Sequence, residues 1–75
     1  MLSEKNWELF RKQLLKVLEL EDEVQLGNVL KGKGNWDSLR TIQIYILLRE
    51  YSNQIIEETD YLEVDVVHKF KRFFT

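Results

Sequence analysis

Residues 37–52 read DSLRTIQIYILLREYS, and the fold class follows from whether this stretch is a strand or a helix. Its isoleucines and tyrosine suit a strand, but its length and its opening Asp37-Ser38 suit a helix better. The stretch predicts a helix that opens at Asp37-Ser38 and runs to about Ser52. Leu39, Ile42, Ile46 and the stem of Arg49 fall on one side of it, with Leu47 and Leu48 adjoining.

Working outward, residues 4–20 carry Trp7, Phe10, Leu14, Val17 and Leu18 at helical spacing, with Ser3 placed to cap them. Residues 21–36 lose that periodicity and hold every glycine of the chain (Gly27, Gly32, Gly34), so they read as a long loop. Val24, Leu26, Val29 and Leu30 are apolar enough to pin it to a core. Downstream, Gln54-Ile55-Ile56 reads as an extended link. Residues 57–63 predict a helical turn or short helix with Tyr61 and Leu62 inward. Asp65 then caps a last helix bearing Val66, Val67, Phe70, Phe73 and Phe74, with His68, Lys69, Lys71 and Arg72 on its other side. The expected fold is all-α, a small bundle of three main helices plus one short helix, with a long first loop.

Composition narrows the function. Seventy-five residues make one small domain, residues 1–75, in which nearly all bulky side chains must serve burial. Little surface remains for a private active site, so an enzyme is not expected. Cysteine, proline and alanine are all absent. No thiol chemistry or thiolate metal site is therefore available. The first residues lack a secretory pattern, and the longest apolar run, Ile44 to Leu48, is too short to span a bilayer. A cytoplasmic protein without membrane contact is expected. A net charge of −2 does not indicate nucleic acid. The charges are unevenly placed, however. Six acidic residues and no Lys or Arg lie from Glu50 to His68, ahead of a basic end at Lys69, Lys71 and Arg72.

Few residues suggest chemistry. The lone histidine, His68, has no partner with which to form a zinc site or a triad and reads as a surface residue. Glu57-Glu58 and Asp22-Glu23 read as solvated pairs, and Gly32-Lys33-Gly34 lacks the spacing of a phosphate loop. Catalytic and metal-binding residues are thus not expected. Asp37-Ser38-Leu39 differs by its placement, mid-chain between a glycine-containing loop and an apolar helix. In one reading Asp37 is only a cap. In the other, the Ser38 hydroxyl stands beside unpaired backbone N–H groups at the positive end of the helix dipole, where an attached phosphodiester would be accommodated.

Here the chain resembles the acyl carrier protein family. The likeness rests on Asp37-Ser38-Leu39 and extends through Thr41-Ile42-Gln43-Ile44. It continues in the link at Ile55 and Ile56, in Val64-Asp65-Val66-Val67, and in the apolar face of Phe70, Phe73 and Phe74. Leu18 to Val24 and the loop to Trp36 resemble the family's first helix and long first loop, so the likeness covers nearly the whole chain. The triplet alone is common, and the combination is the specific part. The resemblance implies that 4′-phosphopantetheine, taken from coenzyme A by a phosphopantetheinyl transferase, is attached to Ser38. Asp37 is then the neighbouring acid recognised by the transferase. Leu39, Arg40, Gln43, Ile46, Arg49 and Glu50 would be the positions read by acyl- or aminoacyl-loading and processing enzymes. A monomer is expected.

The chain departs from its relatives in charge. Asp37, Arg40, Arg49 and Glu50 sum to zero where the family's helix is acidic, so steering towards basic partners should be weak. That favours a dedicated pathway over bulk fatty-acid synthesis. Tyr51 arrives early for the aromatic that ends this helix. Trp36 stands where a smaller residue is common and reads as a partly buried loop anchor more readily than as a partner contact. An aromatic-rich core without alanine suggests a short or polar cargo. A D-alanyl, aminoacyl or peptidyl carrier is the nearest alternative. A helical interaction module without a prosthetic group is the other. DNA reading through Arg40, Gln43 and Arg49 fits poorly with so many carboxylates.

Overall fold

The computed structural model describes residues 4–74. Four α-helices lead into a 3-10 helix: α1 (Glu4–Val17), α2 (Glu23–Asn28), α3 (Ser38–Ser52), α4 (Glu58–Leu62) and the 3-10 helix Val67–Phe74. The described residues form no strand beyond a single antiparallel bridge between Leu30 and Val66. The all-α bundle expected from the sequence is what forms. Among the described residues no helix is long and apolar enough to cross a membrane.

The first helix buries Trp7, Phe10 and Leu14 as its spacing requires. Its predicted cap, Ser3, lies outside the described residues. It stops at Val17 rather than Leu20. Glu19 takes a left-handed backbone (φ 56°), and the Leu20 and Glu19 N–H groups donate back to the Leu15 and Lys16 carbonyls at 2.9 and 3.3 Å. This is the Schellman ending of a helix, made here without the usual glycine. Nothing in the residues from Leu18 to Leu20 marks it.

The predicted long loop is corrected in its first half, which folds as α2. The Asp22 side chain accepts from the Gln25 N–H at 2.9 Å, and the Gln25 side chain accepts from the Glu21 N–H at 2.7 Å. Such reciprocal bonding satisfies donors at the helix start. An acid three residues ahead of a glutamine was legible as a helix signal. The expected pins hold only in part: Leu26 is buried and Val29 half-buried, but Val24 and Leu30 are exposed. The second half remains a loop, tied by Lys31 N–H to the Asp65 carbonyl and by Gly32 N–H to the Trp36 carbonyl, both at 2.9 Å. The Asn35 side chain donates to the Leu18 carbonyl at 2.8 Å.

The last helix is the clearest departure in local geometry. It is a 3-10 helix of eight residues, longer than such helices usually run. Within it Val67, Phe70 and Phe73 recur at every third position and are buried, as is Val64 just ahead of it. A 3-10 turn closes in three residues and keeps them in one line, whereas an α-helix would rotate each away from the last. Val66, expected on the buried face, is half-buried instead and forms the bridge to Leu30. Leu62, expected inward, is exposed, while Tyr61 beside it is buried.

Aromatic rings fill the centre. Phe10 meets Phe70 edge-on at 5.6 Å and Phe74 at 5.3 Å, while Trp7 meets Phe74 at 5.4 Å. Trp36, only 1% exposed, is a fully buried anchor lying 6.1 Å from the Phe70 ring. Each such pair adds about 0.5–1.5 kcal/mol to what burial alone provides.

Candidate functional site

Ser38 is the first residue of α3 and is exposed. Asp37 caps the helix, its Oδ1 accepting from the Arg40 N–H at 2.9 Å. The Asp37 carbonyl accepts from the Thr41 N–H at 2.9 Å and from its hydroxyl at 2.8 Å. No described residue holds the Ser38 hydroxyl by a hydrogen bond. The backbone N–H bond from Arg40, opposed by some desolvation and aided by the Arg40 charge, lowers the Asp37 pKa from its ordinary value. Asp37 is therefore ionised beside Ser38, at the end of the helix where the dipole favours negative charge.

Arg40 sits differently from its neighbours. It is half-buried, and its Nε donates to the Val17 carbonyl at 3.0 Å. Its Nη1 donates to Asp37 Oδ2 at 3.0 Å, and its Nη2 reaches Glu19 Oε2 at 3.4 Å. One guanidinium thus ties the end of α1, the turn after it and the start of α3. The fork geometry of arginine permits this, and lysine could not reproduce it. The charge expected to face partners is largely answered within the chain.

The other expected docking residues face outward. Leu39, Ile42 and Ile46 are 63%, 57% and 58% exposed, so the apolar side read from the sequence is the solvent side of α3. The inward side consists of Thr41, Ile44, Leu48 and Ser52. Gln43 and Glu50 are exposed, as is Arg49, whose guanidinium lies over the Tyr45 ring at 5.7 Å. Ile46, Arg49 and Glu50 share a shallow groove of about 420 Å³ with Asn53, Gln54 and Ile55. This groove lies towards the far end of α3, about 18 Å along the helix axis from Ser38. The fold therefore gathers Ser38, Asp37, Leu39 and Arg40 at one end of the helix and Ile46, Arg49 and Glu50 at the other.

Two residues of the site escaped the sequence reading. Glu19 joins it through Arg40, which no spacing rule foretells. Ile55, 92% exposed, extends the outer apolar strip. Ile55 and its buried neighbour Ile56 lie in an extended link, where adjacent side chains point opposite ways, so one had to face solvent. Among the described residues no group of three His, Cys, Asp or Glu side chains is arranged to hold a metal ion. The chain matches no protein-family model, no curated protein and no solved structure.

Proposed function

We propose that this chain is a non-catalytic carrier, bearing a 4′-phosphopantetheine arm on Ser38 and holding acyl or aminoacyl intermediates as thioesters. One observation carries the reading: a serine hydroxyl that is exposed and unheld at the first turn of a fifteen-residue helix, beside an ionised cap. The transferase supplies the base and the coenzyme A, so the chain needs none of its own. A phosphodiester at this position is favoured by the helix dipole and by the N–H groups of the first turn. The chain's work is presentation, in the cytoplasm, to enzymes that act in turn. Tethering makes each transfer effectively intramolecular and raises the local concentration of cargo.

The packing supports a short or polar cargo and a specialised pathway. Tyr45 of α3 and Tyr61 of α4 stack at 4.3 Å, and the Tyr61 hydroxyl donates to the Thr41 carbonyl at 2.7 Å, so the seam between these two helices is closed to a long chain. A structure of a long-chain acyl form with its cargo threaded through that seam would overturn this part. The exposed strip of Leu39, Ile42 and Ile46 offers partners an apolar contact where the charges give little steering.

Intact mass after incubation with coenzyme A and a broad-specificity phosphopantetheinyl transferase should rise by one prosthetic unit in the wild type. Ser38→Ala should show no gain. Absence of a gain in the folded wild type rejects the carrier reading and leaves the outer strip of α3 as the surface of an interaction module.

A further inference from the structure

A groove of about 260 Å³ opens between α1, α2 and the 3-10 helix, and no residue of α3 lines it. Its floor is Trp7, Leu26 and Val67, each more than nine-tenths buried. Arg11, His68 and Lys71 stand on its walls, with Glu23 beside Arg11. Arg11 bonds Glu23 through Nη1 at 3.0 Å and lies over the Trp7 ring at 5.4 Å. Its Nε is buried and has no acceptor. That atom is closed to solvent, so what Arg11 offers the groove is the charge of its side chain, 27% exposed. Lys71 adds a cation with no carboxylate partner among the described residues. With Glu23 matched to Arg11, the balance of charge around the groove favours an anion.

Gly27 points the same way. Gly32 (φ +83°) and Gly34 (φ +54°) have backbones that favour glycine, but Gly27 does not. It lies inside α2, where glycine is a poor helix former, and an added Cβ would meet no atom within 4 Å. Neither backbone geometry nor packing calls for glycine here. Its missing side chain leaves the wall of the groove open.

We propose that this groove binds a small carboxylate with an apolar body, aromatic or branched, without covalent attachment. The body lies on Trp7, Leu26 and Val67, and the carboxylate lies between the charges of Arg11 and Lys71. The volume falls just below the roughly 300–1,000 Å³ of sites for drug-sized ligands, which limits the occupant to a smaller acid.

The test is a ¹H–¹⁵N titration of the unmodified chain with phenylacetate, so its outcome is independent of any group on Ser38. Saturable shifts should gather at the Trp7 indole N–H, Leu26, Gly27 and Lys71, with the buried Trp36 indole as internal control. A Kd of about 1 mM or tighter is expected for a ligand of this size. Phenylacetamide, and Lys71→Gln titrated with phenylacetate, should each bind about 5-fold more weakly or worse. Gly27→Leu fills the groove and should abolish binding, with folding retained because leucine is the better helix former. Should Gly27→Leu misfold, Gly27→Ala should still weaken binding by about 3-fold or more. The proposal is overturned by the absence of saturable shifts, by shifts centred on α3, by equal affinity for the amide, or by a folded Gly27 variant that binds as the wild type does.

Discussion

The two sides of α3 reverse the usual relation between apolarity and burial. The outer side offers Leu39, Ile42 and Ile46 to solvent, while the inner side buries Thr41 and Ser52 along with Ile44 and Leu48. Neighbours decided the matter. Placing Ile44 and Leu48 against the α1 and 3-10 helix core leaves the outer three nowhere to go. Thr41 tolerates burial because its hydroxyl donates to the Asp37 carbonyl, one turn back. A helix that carries apolar residues all round has no preferred inner side of its own. In the carrier reading proposed above, this uncovered strip is the surface offered to partner enzymes.

The largest effect expected separates the two sides directly. Leu48→Ala, at a site with no exposure, should cost about 2–5 kcal/mol, whereas Ile46→Ala should stay within about 0.5 kcal/mol. Urea denaturation followed by circular dichroism measures both, and similar losses would remove the distinction. Next comes the inner seam. Tyr61→Phe removes the buried bond to the Thr41 carbonyl and should cost about 1 kcal/mol, read from the same curves.

Arg40→Gln probes the end of the helix. It cuts the bond to the Val17 carbonyl and the contacts to Asp37 and Glu19, and should lower stability by about 1 kcal/mol, partial exposure having reduced the value of each charge. Hydrogen exchange should quicken at Leu18 to Leu20 and in the first turn of α3, and unchanged exchange there would reject the clamp.

The smallest effect is in acid. Asp37 is held below its ordinary pKa chiefly by the Arg40 N–H, and Asp65 chiefly by its bond to Lys69. A carboxyl lowered in the folded state contributes stability that is complete above its unfolded pKa and is lost as pH falls through the folded one. The urea midpoint should therefore hold from neutrality down to the ordinary aspartate range and decline below it. Asp37→Asn should flatten that decline while keeping the cap, since asparagine caps as well as aspartate. An identical acid limb in the variant would show that Asp37 takes no part.

Legibility followed the range of the forces involved. The start of α3 at Asp37-Ser38 and the buried stripe of α1 were readable because a cap and a helical period act over a few residues. The Asp22–Gln25 pairing that starts α2 is equally local, but the lost periodicity and the three glycines of residues 21–36 favour a loop over the same stretch. The three-residue recurrence of Val64, Val67, Phe70 and Phe73 was likewise present in the sequence, where it resembled an ordinary helical stripe. Arg40 was different. Its partners Val17 and Glu19 lie more than twenty residues away, at a helix ending that no residue announces.

By itself the sequence determined that the chain is all-α, where α3 begins, that Ser38 stands at its head, and that the aromatic residues make the core. Caps, helical periods and the burial of large rings are set by residues close in the chain or by bulk apolarity. Only the tertiary structure decided which side of α3 faces water, that Arg40 is a clamp between α1 and α3, and that a groove lies open beside Gly27. Those depend on which helix packs against which, and on contacts between residues that no local spacing brings together.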